Sequence, residues 1–263
     1  MITPQTLDFD TALALYEWQR EMGADEPVGE EPVNRYELAA EAVKVASRMA
    51  EPAAPPVAPA AADPVELARA AAAAATALTD LAERQAAYDR CDLKKGARNF
   101  VFADGTAGAR VMIIGEAPGR DEDLQGRPFV GLAGQMLDRM FAAIGMSRRA
   151  PDTETGLYIT NVMPWRPPAN RDPEAAEIAM MLPFLARHVE LADPELIVLM
   201  GNISCMAALG RNGIMGLRGK WTTAFGKPAL PMTHPAYLLR TPSAKREAWA
   251  DLLEIKARLG GKP

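Results

Sequence analysis

The sequence predicts an α/β protein: a three-layer α/β/α domain around a central, mainly parallel four-stranded sheet, preceded by a helical N-terminal extension. Three observations predict this class. Short apolar runs alternate with segments of helical periodicity from about residue 98 onward. A Pro/Ala-rich stretch separates that part from the residues before it. The hydrophobic fraction of 49% and the charged fraction of 24% are typical of a globular protein with one sizeable core.

The N-terminal part is predicted to be helical and separately placed. Residues 8–22 (DFDTALALYEWQREM) indicate a short amphipathic helix, and a second helix is predicted over Tyr36–Met49. Residues 52–62 (PAAPPVAPAAA) cannot hold a regular element and predict a stiff, extended linker. We therefore divide this part into an acidic helical extension, 1–51, and the linker.

An Ala-rich helix is predicted to follow the linker. Asp63 and Pro64 fit a helix start, because they place a capping residue before Pro at the first helical position. Alanine is the strongest helix former, so this helix is predicted to continue to about Ala87. We assign residues 63–85 to this helix and residues 86–263 to the α/β domain.

Strands and helices are predicted to alternate in the α/β domain. Four apolar runs predict strands: Arg110–Ile114, Leu157–Val162, Leu196–Met200 and a short run at Leu230–Met232. Four segments predict helices: Leu132–Ile144, Glu174–Leu191 with a kink at Pro183, Ile203–Leu209 and Lys245–Leu259. Sites in such sheets form at the carboxyl ends of the strands, where the sequence places Gly115–Gly119, Asn161 and His234.

The charge is unevenly distributed along the chain. The formal net charge is −5, whereas residues 1–85 hold 6 basic and 15 acidic side chains and residues 86–263 hold 23 and 19. A mildly basic domain behind an acidic extension favours a polyanionic partner. A solvated surface of mixed charge is the alternative.

Cysteine and histidine are scarce. The two cysteines and two histidines exclude a disulfide framework, an all-Cys metal site and a His-rich metal centre. No run of about 18 apolar residues indicates a membrane span. No basic region precedes an apolar stretch at the start, so we expect no secretory signal and a cytoplasmic location.

Four ordered blocks carry a family resemblance. They are VFADG (101–105), GEAPGRDEDLQGRPFVGLAGQMLDRMF (115–141), YITNV (158–162) followed by RPPANRDP (166–173), and THPAYLLR (233–240). Together they resemble the uracil-DNA glycosylase superfamily, most closely its bacterial and archaeal family 4, over roughly residues 86–258. The absence of GxGxxG and GxxxxGK[ST] motifs argues against nucleotide-cofactor and NTPase functions.

The resemblance implies a pocket for a uracil that has been flipped out of DNA. It assigns Phe129 to stacking on the base, although a core aromatic is the alternative from sequence alone. It assigns Asn161 to the O4/N3 edge of uracil, with a turn or cap residue as the alternative. Glu116, Ala117 and Gly119 are expected to line the same pocket.

Two further residues are implied to act on the glycosidic bond. His234 would stabilise the uracil anion that leaves through O2, for which a neutral imidazole suffices. Glu122 would orient water and stabilise the cationic sugar, with a solvent-facing acidic loop as the alternative. His188 lies in the middle of a predicted helix and is interpreted as structural or exposed.

DNA contacts are expected on two loops. Arg166 and Arg171 lie on a Pro-rich loop and are predicted to contact phosphates. The segment PAYLL resembles a minor-groove wedge, in which Tyr237 or Leu238 would fill the space left by the flipped base. Arg240 follows this segment and is the third predicted cationic contact.

The chain departs from family 4 at the cysteines that hold a [4Fe–4S] cluster. Only Cys91 is kept, and the other three positions hold Tyr88, Trp165 and Met181. Because a cubane cluster needs about four ligands, we predict no cofactor and no metal.

The resulting hypothesis is a DNA repair glycosylase that hydrolyses the N-glycosidic bond of uracil in DNA. One alternative is a weakly active or inactive DNA-binding protein on the same fold. Another is a hydrolase of free nucleotides or nucleosides, which would not need the wedge. A protein partner through residues 1–85 is also expected.

Overall fold

The computed structural model describes residues 8–21 and 63–260. The chain divides into two compact units, Met1–Ala60 and Ala61–Pro263. In the first unit, α1 (Phe9–Glu21) begins after Asp8, whose carboxylate accepts hydrogen bonds from the backbone N–H and hydroxyl of Thr11. The predicted first helix is thus confirmed, while the helix predicted over Tyr36–Met49 and the linker lie outside the described residues.

The second unit contains a six-stranded sheet. Its strands are β1 (Ala103–Gly105), β2 (Val111–Gly115), β3 (Leu157–Asn161), β4 (Leu196–Met200), β5 (Thr222–Ala224) and β6 (Lys227–Met232). They lie in the order β1-β3-β2-β4-β6-β5. The four inner strands are parallel, which confirms the predicted sheet, and the two short outer strands add antiparallel edges.

Helices cover both faces of this sheet. They are α2 (Pro64–Ala73), α3 (Leu78–Ala87), α4 (Leu93–Gly96), α5 (Arg120–Gln125), α6 (Leu132–Ala142), α7 (Ala175–Ala192), α8 (Asn202–Leu209), α9 (Ile214–Leu217), α10 (Pro235–Arg240) and α11 (Lys245–Gly260). The parallel strands are buried throughout, so alternate residues face two cores. Met112 and Ile114 face the core under α2, α3 and α7. Val111 and Ile113 face the core under α6 and α11. The predicted three-layer α/β/α class is confirmed.

The Ala-rich segment was predicted to form one helix, and the structure differs from this prediction. It forms α2 and α3, which are separated by residues 74–77. The break is stabilised because the Arg187 guanidinium donates to the Ala75 carbonyl at 2.6 and 3.0 Å, and Asp80 accepts from the Thr76 N–H at 3.0 Å. Small side chains of this segment pack in the same core as α7. The boundary predicted near residue 85 stays a prediction.

The other predicted elements agree with the structure to within a few residues at their ends. Pro183 lies inside the continuous α7 helix. Among the described helices, none combines the length and apolar character that a membrane span requires.

Candidate active site

The carboxyl ends of β2 and β3 bring Gly115, Asn161 and Phe129 together. Gly115 and Asn161 are paired as the last residues of their strands. A Cβ at Gly115 would lie within 2.5 Å of both the Asn161 amide oxygen and the Phe129 ring. Only glycine fits between these two side chains. The residues predicted to stack on the base and to bind its edge therefore lie together at the carboxyl ends of β2 and β3.

His234 reaches the same place from the end of β6. Its ring is stacked with that of Phe129, with centroids 5.5 Å apart and planes inclined by 29°. Gly201, which follows β4, lets the histidine approach, because a Cβ there would lie 3.3 Å from the His234 Cβ. The carboxyl ends of β2, β3 and β6 thus meet the loop that contains Phe129 (residues 126–131, the Phe129 loop) at one rim of the sheet.

The hydrogen bonding of His234 sets its tautomer. Nδ1 accepts from the Ala236 N–H at 3.2 Å at the start of α10. Burial and, to a smaller extent, the charge of Arg240 lower the pKa of His234 to about 4, against an opposing effect of Glu122. At neutral pH the ring is uncharged, so its proton lies on Nε2, which can donate to a ligand.

The Asn161 amide presents an unused acceptor. The residue is 7% exposed, and its Oδ1 is buried without a hydrogen-bond partner in the described part of the chain. An unpaired buried acceptor costs free energy, which a donor on a bound ligand would recover. The atom next to Gly115 and Phe129 is therefore suited to an N–H group of a planar base.

Glu122 binds backbone groups on two loops. Its Oε1 accepts from the Val130 and Gly131 N–H groups, each at 2.9 Å. Its Oε2 accepts from the Gly119 N–H at 3.1 Å. Three of about four lone-pair positions are thereby used. The carboxylate holds the start of α5 against the residues that follow Phe129.

Glu116 and Ala117 continue the chain from Gly115 and are half-buried. Burial and, to a smaller extent, the charge of Asp172 raise the pKa of Glu116 to about 7. The Met163 N–H donates to the Glu116 carbonyl at 3.0 Å, which fixes the backbone next to β3. The Glu116 carboxyl group is thus partly protonated near neutral pH.

The predicted DNA contacts divide into paired and unpaired groups. Arg171 donates two hydrogen bonds to Glu177, at 2.9 and 2.6 Å, and Arg166 donates to Asn170 at 2.7 Å. Arg240 is exposed and forms no ion pair within the part of the chain that the structure describes. Arg171 is therefore engaged inside the fold, whereas Arg240 is free for a ligand.

The wedge prediction for Leu238 needs a correction. Leu238 is only 1% exposed, because it packs in the core under α6 and α11. Tyr237 is half-buried, and the neighbouring Leu239 is 40% exposed. A side chain that fills the core cannot also enter a groove, so Tyr237 and Leu239 are the apolar groups that this segment presents.

Arg148 is the residue of this region that the sequence analysis missed. It donates hydrogen bonds to the carbonyls of Pro128 and Phe129. In the sequence it stands beside Arg149 before a polar loop, which is typical of a surface residue. Only the fold shows that it lies under the Phe129 loop.

The four positions compared with cluster ligands lie in one core. Tyr88, Cys91, Trp165 and Met181 are all at most 7% exposed. Tyr88 packs edge-on against Phe184, and burial raises the pKa of the Cys91 thiol. This donor set holds a single thiol and does not fit a cubane cluster, which needs about four ligands.

Comparison with known proteins places these features in a family. The model of the "Uracil DNA glycosylase superfamily" matches residues 102–253. A type-4 uracil-DNA glycosylase of Saccharolobus solfataricus is 36% identical over 70% of this chain and 87% of its own length. Those of Archaeoglobus fulgidus and Pyrobaculum aerophilum are 35% and 38% identical, over 71% and 62% of this chain and 95% and 85% of their own lengths.

The comparisons contradict the prediction that the protein has no cofactor. The matching relatives are type-4 uracil-DNA glycosylases, which are iron–sulfur enzymes. The prediction came from a cysteine count at four positions of one chain. Such a count describes a donor set and does not establish the cofactor content of the protein. The prediction that the protein has no cofactor was therefore wrong.

Proposed function

The chain belongs to the uracil DNA glycosylase superfamily, and on that premise we propose that it hydrolyses the N-glycosidic bond of uracil in DNA, leaving an abasic site. The observation that carries the proposal is the buried, unpaired Asn161 Oδ1 beside the stacked Phe129 and His234 rings. These groups offer an acceptor, an aromatic face and a donor to one planar base.

Base recognition requires that the nucleotide leaves the helix, because the edge and faces of a base that is paired and stacked in a duplex are out of reach of these side chains. The uracil N3–H would donate to Asn161 Oδ1, and the Asn161 amide N–H would donate to O4. Phe129 would cover one face of the ring. Cytosine has no N3–H and carries an amino group at position 4, so it would face the wrong donors and acceptors.

Bond cleavage follows from the neutral His234. As the C1′–N1 bond breaks, its electron pair moves onto uracil, and Nε2–H of His234 stabilises the charge at O2. Water then adds to C1′, and the proton that it loses to the solvent is balanced by protonation of the released uracil anion, so that the products are an abasic sugar and neutral uracil. The Glu122 carboxylate would stabilise the cationic sugar by its charge. Because its oxygens already accept three backbone N–H groups, its second role is to position the loops.

DNA would be held on the surface around α10. Arg240 is the exposed cation next to the pocket, and Arg166 lies on the loop after β3. Tyr237 and Leu239 would face the space that the flipped base leaves. Arg171 is expected to contribute through the fold of its loop, since Glu177 already binds it.

The acidic extension supports a separate proposal of a protein partner. The α1 helix exposes the side chains of Phe9, Leu13, Tyr16 and Trp18. Side chains of these types commonly pack against other apolar groups. A partner with an apolar surface and basic surroundings would complement it. We also propose a cytoplasmic location.

A uracil-release assay tests the main proposal. The full chain should release uracil from single- or double-stranded oligonucleotides that contain one deoxyuridine, and alkali should then cleave them at that position. Asn161→Ala and His234→Ala should reduce release while the thermal unfolding of each variant stays close to that of the wild type.

Two outcomes would favour other functions. Tight binding of uracil-containing DNA without any release would support the non-catalytic DNA-binding protein. Release from deoxyuridine monophosphate but not from DNA would support a hydrolase of free nucleotides. Either result would overturn the proposal.

A further inference from the structure

We propose that Arg148 is a positioning residue for uracil recognition, which acts by holding the backbone of Phe129. This inference rests on the proposed function, because it assigns Phe129 to the flipped base. Arg148 lies beside the loop that precedes α6, where it lines a cavity together with Phe129 and Val130 of that loop. Its side chain is 7% exposed.

The guanidinium group bonds the loop at two carbonyl groups. Nη1 donates to the Pro128 carbonyl at 2.8 Å, and Nη2 donates to the Phe129 carbonyl at 3.0 Å. Both of these residues are buried, so the carbonyls are shielded from water. Without Arg148 two adjacent buried acceptors would lose a charged donor, which is among the costly losses in a protein interior.

The conformation of Phe129 makes this support necessary. Its φ of 53° lies in the left-handed region, which is unfavourable for a residue with a side chain by about 1–2 kcal/mol. The Phe129 carbonyl also lies against Gly134 of α6, where a Cβ would overlap it. The Phe129 carbonyl therefore lies between Gly134 and the Arg148 guanidinium group, and this placement fixes the direction of the Phe129 ring.

Two acidic residues keep the charge of Arg148 in place. Nε donates to Asp138 at 2.8 Å, and Nη1 also contacts Asp104 at 3.1 Å. One guanidinium thus links β1, α6 and the Phe129 loop. On the other side of Phe129, Glu122 holds the backbone N–H groups of Val130 and Gly131. The aromatic residue is fixed from both directions along the chain.

Lysine cannot replace this arrangement. The planar guanidinium presents five N–H donors in a fixed fork, whereas an ammonium group is a point charge with three donors. Arg148→Lys keeps the charge between Asp104 and Asp138 but loses the simultaneous bonds to the two carbonyls. We expect the loop to remain folded and the Phe129 ring to lose its fixed orientation.

A double-mutant cycle tests this mechanism, with uracil release measured for wild type, Arg148→Lys, Phe129→Ala and the double variant. Arg148→Lys alone should lower kcat/KM by about 10- to 100-fold, because small misplacements of binding groups have effects of this size. In the Phe129→Ala background the same change should have less than about a twofold effect, since the ring that Arg148 positions is gone.

A binding measurement separates positioning from general damage to the protein. Arg148→Lys should weaken binding of DNA that contains 2′-fluoro-deoxyuridine, which keeps its base, about as much as Phe129→Ala does. Binding of DNA that contains a tetrahydrofuran abasic analogue should stay at the wild-type level. A merely structural role would weaken both or neither.

Arg110 offers a matched control at the opposite end of β2. It is also largely buried, with 17% of its side chain exposed, and it binds Glu154, Glu195 and the Leu259 carbonyl. Arg110→Lys should leave kcat/KM within about twofold of wild type.

The outcomes keep the two proposals apart. If Phe129→Ala releases uracil as well as wild type, the proposed role of Phe129 fails. If Phe129→Ala is impaired but Arg148→Lys is not, or if their effects multiply in the double variant, the positioning role of Arg148 fails.

Discussion

The two histidines of this protein differ in burial and in hydrogen bonding, since His188 is 3% exposed whereas His234 is half-buried at the rim of the sheet. His188 lies in the middle of α7, where its Nε2 is 2.8 Å from the Tyr158 hydroxyl and its ring stacks on Phe102 at 4.3 Å. His234 also stacks on a phenylalanine, but its Nε2 has no partner among residues 8–21 and 63–260. Burial lowers both pKa values, to about 3 and about 4. Satisfied polar groups stabilise this fold, and unsatisfied groups at the rim are available to a ligand.

The largest effect is expected from His234→Ala. Removal of the Nε2–H donor takes away the stabilisation of charge on uracil O2, which we expect to lower kcat by about 100- to 1,000-fold. Single-turnover rates of uracil release would measure this. A loss of less than about fivefold would show that the unpartnered Nε2 of His234 is not used in the reaction. The difference in hydrogen bonding between the two histidines would then have no functional consequence.

Asn161→Asp is the next test, because it changes one amide nitrogen into oxygen without changing the size of the side chain. Loss of the donor to uracil O4 should reduce kcat/KM by about 10- to 100-fold. The same oligonucleotide assay measures it, and circular dichroism checks the fold. Wild-type kcat/KM in this variant would contradict the assignment of Asn161 to the base edge.

His188→Ala should have the opposite profile. It leaves a cavity in the core and removes the partner of the Tyr158 hydroxyl, so the free energy of unfolding should fall by about 3 kcal/mol. Release of uracil by the folded protein at low temperature should keep the wild-type kcat. Denaturant unfolding and the release assay together measure both quantities, and a large drop in kcat would place His188 in the active site.

Much of the fold follows from the pattern of apolar residues. The run Leu196–Met200 is a strand over the whole predicted range, because five consecutive apolar residues before a glycine fit a strand buried on both faces. The edge strands β1 and β5 are three residues long and contain polar side chains, so no run marks them. They exist because β3 and β6 offer free hydrogen-bonding edges, which is tertiary information.

The candidate site, like the fold, could be predicted only in part from the sequence. Phe129, Asn161 and His234 were found because each stands in a motif, and the fold brings them together at Gly115. The burial of Leu238 depends on helix α6, which is distant from it in the sequence. Arg148 contacts Asp104 of β1, which lies 44 positions earlier in the chain. A sequence pattern indicates that a residue is apolar or charged, but the partner that uses it is fixed only by the packing.

Glu116 gives a smaller, pH-dependent effect. Its folded pKa of about 7 is raised from 4.5, so the folded protein binds the proton more tightly than the unfolded chain does. This contribution to stability is present below pH 4.5 and is lost as the pH rises through about 7. Glu116→Gln should remove that decline, which unfolding curves at pH 5, 6, 7 and 8 would measure.

The histidines provide the control of opposite sign for this measurement. Their folded pKa values are lowered from 6.5, so their contribution is present above pH 6.5 and is lost as the pH falls towards 4 and below. Glu116→Gln should retain this acid-side loss. If its unfolding free energy still declines between pH 5 and 8 as in wild type, another group titrates in that range.

The smallest effects are expected from Arg240 and Arg171. Like the two histidines, these arginines differ in whether another side chain of the fold already binds them. Arg240 is exposed without an ion pair in the described chain, whereas Arg171 is bound by Glu177. Arg240→Ala should weaken binding to any DNA and lower the slope of log K against log salt by about 1, which is the loss of one phosphate contact. Arg171→Ala should leave that slope unchanged. Fluorescence anisotropy at several salt concentrations measures both, and equal slopes for the two variants would show that pairing inside the fold does not decide which cations reach the DNA.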